Sequence, residues 1–124
     1  MLKNPVGWFE IYVDDMARAK RFYETVFSLS LEELDTPDIS MCAFPMNKND
    51  YGVSGALVKA PNVAAGNNSV VLYFHCKDCA IEEQRILQAG GTIDKTKFPI
   101  GQFGFITLGK DTEGNTIGLH TLAS

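Results

Sequence analysis

The chain has 124 residues, of which 45% are hydrophobic and 21% charged, values typical of one folded domain with its own core. Eleven basic and fifteen acidic residues give a net charge of -4, and the basic residues never form a run of three. We therefore expect no nucleic-acid partner, because such binding needs a basic patch or stripe.

No segment approaches the roughly 18 apolar residues of a membrane helix, and the first residues lack the apolar region of a signal peptide. The three cysteines are an odd number, which suits a reducing compartment better than a disulfide framework. These features predict a cytoplasmic protein without a membrane partner.

The first half of the chain begins with an alternating apolar segment, Gly7 to Asp15, which predicts a strand. Asp15 can cap a helix, because its side chain can accept hydrogen bonds from the amides of the first turn. Apolar residues then recur every three or four positions, which predicts a helix from Met16 to Phe27. Turn-forming residues separate three further predicted strands, at residues 29–34, 39–45 and 52–58.

The second half repeats this order of elements. A β-branched and aromatic strand, Ser69 to Cys76, precedes a helix that Asp78 can cap and that Gly90-Gly91 can end in a left-handed conformation. Three short strands are again predicted, at residues 92–97, 103–108 and 116–122. The sequence therefore predicts an α+β fold made of two tandem βαβββ modules, forming curled mixed sheets around a cleft. The single domain covers residues 1–124, with module 1 at about 5–59, a linker at 60–68 and module 2 at about 69–124.

Three local motifs lie in register on this repeat. They are the helix segment Asp14-Asp-Met-Ala-Arg-Ala-Lys-Arg-Phe-Tyr-Glu-Thr-Val-Phe27, the helix end Ala89-Gly-Gly91, and the turn Asp111-Thr-Glu-Gly-Asn-Thr-Ile-Gly-Leu119. With them the whole chain resembles the vicinal oxygen chelate superfamily of glyoxalases, bleomycin-resistance proteins and extradiol dioxygenases. Thr112 stands where the family's last turn usually has proline.

The resemblance implies four positions at which family enzymes bind a divalent metal. Mapped by spacing from the flanking motifs, these positions carry Trp8, Gly55, Val71 and Gly118. None of the four side chains offers the oxygen, nitrogen or sulfur donor that a divalent metal requires. We therefore expect no metal cofactor, which leaves the cleft as the functional feature.

Strand side chains alternate between the two faces of a sheet, and this identifies which residues share a face with the family's metal positions. Trp8 shares its face with Glu10 and Tyr12, Val71 with Tyr73 and His75, and Gly118 with His120. If the family geometry holds, these residues converge on one cavity, while Phe9, Ile11, Leu72 and Phe74 face the helices. An aromatic pocket with a few polar groups suits a small organic ligand.

The roles of these residues remain open at this stage. The candidate catalytic residues are Glu10, His75 and His120, which could act as an acid/base set. Alternatively, a displaced divalent metal could be held by Glu10 and His120. As a third alternative, all three could be hydrogen-bonded structural residues. Trp8 can stack on a planar ligand or fill the space of the absent metal. The candidate ligand-binding residues are Trp8, Tyr12, Tyr73, Phe44 and Phe105.

Cys76 and Cys79 form a C-x-x-C pair at a strand-to-helix junction, where a helix N-terminus can activate a thiol. The surrounding pattern is not that of a redox fold, so we expect ordinary packing thiols.

Three functions fit these observations. The first is a metal-independent small-molecule binding protein of the glyoxalase/bleomycin-resistance type. The second is a lyase or isomerase that uses Glu10 with His75 or His120 as acid and base, and the third is an interaction module with a vestigial cleft. The family resemblance and the exposed strand edges also predict a homodimer.

Overall fold

The computed structural model describes residues 4–123 and contains eight strands, two α-helices and one short 3-10 helix within that range. Both helices begin at the predicted residues, and each of the eight strands has at least one end within two residues of its predicted boundary. The elements in chain order are β1 (Phe9–Tyr12), α1 (Met16–Phe27), β2 (Glu32–Leu34), β3 (Ser40–Ala43), β4 (Gly55–Lys59), β5 (Leu72–His75), α2 (Cys79–Gln88), β6 (Thr92–Pro99), the 3-10 helix Gly101–Phe103, β7 (Phe105–Lys110) and β8 (Thr116–Thr121).

The two modules form two four-stranded mixed sheets with the same topology, which confirms the predicted α+β fold of tandem βαβββ modules. The strand order is β1-β4-β3-β2 in the first sheet and β5-β8-β7-β6 in the second. The first strand of each module pairs in parallel with the last, and the remaining pairs are antiparallel. The two sheets are not closed into a barrel, so β1 and β5 are each left as an edge strand.

Both helices begin where an aspartate caps the first turn. Asp15 accepts a hydrogen bond from the Arg18 amide at 3.0 Å, and Asp78 accepts one from the Ala80 amide at 3.0 Å. The predicted glycine end of α2 is confirmed, because Gly90 has a left-handed φ of 97° and the Gly91 amide donates to the Ile86 carbonyl. Ser28 takes the left-handed position at the end of α1, where the sequence offers no glycine.

One hydrophobic core joins the two modules. The face of each sheet that carries Ile11 in β1 and Leu119 in β8 packs against the helices, as strand alternation predicted. Helix α1 reaches into the second module, because the Phe27 ring stacks on Phe74 with centroids 4.4 Å apart. The opposite faces of the two sheets point away from this core. No helix within residues 4–123 is long and apolar enough to cross a membrane.

The turn before β8 fastens the second module to the first through a buried carboxylate. The side chain of Glu113 is fully buried and accepts hydrogen bonds from the backbone amides of Asp14 and Asp15, both at 2.9 Å. Arg18 in α1 donates to the same carboxylate at 2.7 Å and 3.0 Å. Burial alone raises the pKa of Glu113, but these hydrogen bonds and one from Thr112 outweigh it and lower the pKa from 4.5 to about 2.

Asp111 and Asn115 complete this connection. The buried Tyr23 hydroxyl of α1 donates to Asp111 at 2.6 Å, and burial, followed by the charge of Asp111, raises the Tyr23 pKa well above 10. Asn115 donates to the Tyr12 carbonyl at 2.9 Å and accepts from the Gly66 amide at 2.8 Å. The turn therefore holds α1, β1 and the linker together.

Candidate functional site

The edge strands β1 and β5 lie beside the same two cavities, and no backbone hydrogen bond joins these strands in the described part of the chain. We call the space between them the seam. Both cavities are lined by Phe9 of β1 and Leu72 of β5, so they lie along the same seam.

The linker cavity has a volume of about 380 Å³ and lies where the linker closes over the seam. This size falls in the range of small-molecule sites in proteins. Apolar side chains from β1, β5, β8 and the linker dominate its wall, and Glu10 is its one charged residue within residues 4–123. The lining residues are Phe9, Glu10, Ile11, Tyr12, Val63, Ala64, Gly66, Asn68, Val70, Leu72, Asn115, Thr116 and Ile117.

The second cavity, which we call the aromatic cavity, has a volume of about 480 Å³ and contains His75 and Tyr73. Phe44 and Phe74 supply the floor from the core, and Tyr51 lies at the side of His75 with ring centroids 5.7 Å apart. Tyr73 is 48% exposed, which leaves its ring accessible.

Glu10 is the centre of a hydrogen-bonded row on the outer face of β1. Trp8 donates its indole N–H to one carboxylate oxygen at 3.3 Å, and Tyr12 donates its hydroxyl to the other at 3.1 Å. Alternate strand positions place the three side chains on one face. The pKa of Tyr12 is raised, mainly because its hydroxyl donates this hydrogen bond to Glu10.

The two histidines are neighbours on the outer face of the second sheet, because His75 of β5 pairs with His120 of β8. The Nε2 atom of His120 lies 2.7 Å from the Phe103 carbonyl, which fixes the 3-10 helix against the sheet. His120 thus makes a local structural contact, while His75 opens into the aromatic cavity.

The described cavities therefore divide the predicted site residues between them. Glu10 and Tyr12 line the linker cavity, and Tyr73, His75 and Phe44 line the aromatic cavity. Trp8 and His120 line neither, although both lie on sheet faces that point away from the core. Their convergence on one shared site stays a prediction.

The positions of two aromatic residues bear on the roles considered for them. Phe105 pairs with Thr121 on the helix-facing side of the second sheet and packs against the core. It lies two residues before the buried Thr107 in β7, so the two side chains point to the same face of the sheet. Trp8 is 41% exposed, so its ring does not fill a closed space within this chain.

The strand register also corrects one of the mapped metal positions. Gly55 lies opposite Phe9, and a side chain there would collide with the Phe9 ring. Ala56 lies opposite Glu10, as Gly118 lies opposite Tyr73 in the second module, so Ala56 is the structural equivalent. The mapping by spacing selected Gly55 because it aligned Gly55 with Gly118. The strand register instead aligns Ala56 with Gly118, one residue further along β4.

The residues at these positions do not fit a divalent metal. Ala56 offers no more donor atoms than Gly55, and Trp8, Val71 and Gly118 add none. Among the residues that the structure describes, no three His, Cys, Asp or Glu side chains form a group that could hold a metal ion.

The C-x-x-C pair is buried. Cys76 and Cys79 are 3% and 0% exposed and are free thiols. Burial, followed by the charge of Glu82, raises the pKa of Cys76 to about 12, which opposes formation of the reactive thiolate.

The site includes residues that sequence reasoning did not select. Val63, Asn68 and Val70 line the linker cavity, and Tyr51 lines the aromatic cavity. They lie in loops, where the periodicity of strands and helices carries no information about facing. The feature of the sequence that could have indicated them is the linker with its proline and asparagines, because long connections often contribute to binding sites.

Two edge-to-edge βαβββ modules with a ligand-sized seam define the class of protein to which this fold belongs. The family model of the Glyoxalase/Bleomycin resistance protein/Dioxygenase superfamily matches residues 6–119, and the chain belongs to this superfamily. No curated protein sequence matches the chain significantly.

Solved structures support the same fold at low sequence identity. Glyoxalase I from Zea mays is 19% identical with a TM-score of 0.75, and the match covers 94% of this chain and 46% of the maize chain. This chain therefore spans about half of the maize enzyme. TnmS3, an antibiotic-binding protein from Streptomyces sp., is 22% identical with a TM-score of 0.71 and is matched over 99% of both chains. A glyoxylase/bleomycin resistance protein/dioxygenase domain from Frankia sp. is 16% identical with a TM-score of 0.71, over 98% of this chain and 100% of the domain.

Proposed function

We propose that this chain is a small-molecule binding protein of the glyoxalase/bleomycin-resistance type that works without a metal. The observation that carries the proposal is the seam, whose two cavities of about 380 and 480 Å³ have mainly apolar and aromatic walls. Such walls favour organic ligands, because burial of apolar surface drives their binding.

The metal-independent part of the proposal rests on the donor set. The family's metal positions carry Trp8, Ala56, Val71 and Gly118 in the strand register, and none can ligate a divalent ion through its side chain. The similarity to an antibiotic-binding protein over the full length of both chains supports binding rather than metal-assisted turnover.

The acid/base alternative needs Glu10 and a histidine at one reacting atom, within about 3 Å of it. Glu10 and His75 line different cavities, and His120 is engaged by the Phe103 carbonyl. These contacts favour binding over proton transfer.

We also propose that the protein is a cytoplasmic homodimer. Trp8 and Tyr73 are 41% and 48% exposed on outer sheet faces, and a second copy would cover such aromatic surface. The three cysteines are free and buried, which suits a reducing compartment.

A thermal-shift screen of small aromatic compounds tests the binding function, because a ligand present at 100 times its Kd stabilises the native state by about 2.7 kcal/mol. We expect hits that persist in EDTA. Val70→Trp should remove hits that occupy the linker cavity, since Val70 lines it and is 65% exposed. Ile81→Trp is the matched control, at a 52% exposed position on α2 outside the cavity lining. Hits that require an added divalent metal would contradict the proposal.

A further inference from the structure

We propose that the linker cavity selects organic cations, which it recognises through Glu10, a residue of its wall that is hydrogen-bonded to Trp8 and Tyr12. The inference rests on the proposed binding function and adds the charge class of the ligand.

The first step concerns the charge of the cavity. Glu10 is its one charged lining residue within residues 4–123, and none of the four ion pairs formed by described residues includes it. Glu10 is exposed, and because it also lines a mainly apolar wall, an organic cation can contact the carboxylate and the wall together.

The second step concerns the two asparagines of the wall, whose side chains are already used within the protein. Asn68 donates to the Val70 and Thr116 carbonyls and accepts from the Thr116 amide. Asn115 donates to the Tyr12 carbonyl and accepts from the Gly66 amide. Both asparagines are thus engaged within the protein, and Glu10 is the group of the wall that can select a ligand by its charge.

The third step concerns how Glu10 is held. Trp8 and Tyr12 each donate to a different carboxylate oxygen, at 3.3 Å and 3.1 Å, so the carboxylate is fixed between two aromatic rings. Neither donor carries a charge, and a carboxylate can accept about four hydrogen bonds, so Glu10 can still contact a ligand.

The shape of the cavity adds the second property of the ligand. Its apolar wall, with Phe9, Ile11 and Leu72, suits a hydrophobic body attached to the cationic group. The net charge of -4 favours the approach of such a molecule. The expected class is therefore an amphiphilic organic cation, such as an alkyl- or arylammonium compound.

Benzyltrimethylammonium is a suitable probe, because its charge does not depend on pH. Neopentylbenzene, which is neutral and of similar shape, and phenylmethanesulfonate, which is an anion, are the comparison probes. Trp8 is the single tryptophan of the chain and donates a hydrogen bond to Glu10, so its fluorescence should respond to a ligand that contacts Glu10, and calorimetry measures the affinity independently.

We expect the cation to bind at least about tenfold more tightly than the neutral probe, with the affinity falling as salt is added. Glu10→Gln keeps an oxygen that accepts hydrogen bonds but removes the charge, and it should reduce cation affinity at least about tenfold without weakening the neutral probe. Glu32→Gln removes a charge at an exposed position of β2 and should leave both affinities unchanged. Melting temperatures of both variants check that they remain folded.

Equal affinity for the cation and the neutral probe, or unchanged cation affinity in Glu10→Gln, would overturn the cation inference while leaving the binding function in place. Tighter binding of the sulfonate would do the same. If none of the three probes binds, the cation inference fails, and the compound screen then decides the binding function separately.

Discussion

Replacing Glu113 by glutamine should destabilise the protein strongly at neutral pH and weakly in acid. The Glu113 carboxylate is fully buried and receives hydrogen bonds from Arg18 and from two backbone amides at the start of α1. Its pKa falls from 4.5 to about 2 on folding, which corresponds to at most about 3–4 kcal/mol at pH 7. Because Arg18 is 47% exposed and solvent screens its charge, we expect a loss of about 2 kcal/mol.

The direction of the pH dependence follows from the lowered pKa. The stabilisation by Glu113 is fully present above pH 4.5 and is lost as the pH falls from 4.5 towards 2, where the folded protein also binds the proton. Urea unfolding followed by circular dichroism at pH 7 and at pH 3 measures the difference between the wild type and Glu113→Gln. Glu32→Gln, at an exposed position, should stay within about 0.5 kcal/mol at both pH values. A Glu113→Gln protein as stable as the wild type at pH 7, or a difference that does not shrink by pH 3, would refute the reasoning.

Three further predictions concern the thiol, a glycine and the assembly. Cys76 should react with iodoacetamide in the native protein far more slowly than in urea, since it is 3% exposed and its pKa is raised to about 12; rapid native labelling followed by mass spectrometry would contradict this. Gly104→Ala should reduce the free energy of unfolding by about 1–3 kcal/mol, because Gly104 has a φ of 102° and an added Cβ would collide with the Thr121 carbonyl. Gly7→Ala, where an added Cβ meets nothing within 4 Å, is its control, and equal stability of the two variants would show that the strain is absent. Light scattering should give twice the 13.6 kDa chain mass, and a monomer at high concentration would contradict the proposed homodimer.

The fold could be predicted from the sequence because its local signals agree with one another. Asp15 and Asp78 begin helices at the predicted places, and Gly90 ends α2 in the predicted conformation. Strand alternation correctly placed Ile11 and Phe74 towards the core. Such signals depend on neighbouring residues, and the repeat provides the aspartate cap and the strand alternation twice.

The site was harder to predict, because it depends on how separate strands are aligned and on loops. A shift of one residue moves a side chain to the other face of a sheet, which explains why Gly55 was selected in place of Ala56. Phe105 was assigned to the pocket although its strand position faces the helices. The closing of one cavity by linker residues such as Val63 leaves no periodic pattern in the sequence.

The turn from Asp111 to Asn115 has a consequence for the order in which the chain can fold during synthesis. Its contacts with Tyr12, Asp14 and Arg18 span 95 to 103 residues of sequence. The first helix therefore emerges from the ribosome well before the carboxylate that secures its N-terminus, at a synthesis rate of about 5–20 residues per second. During that interval the first module lacks these contacts and exposes part of the core that α1 later shares with Phe74. The contacts that secure the N-terminus of the first helix thus form only after the turn before β8 has been synthesised.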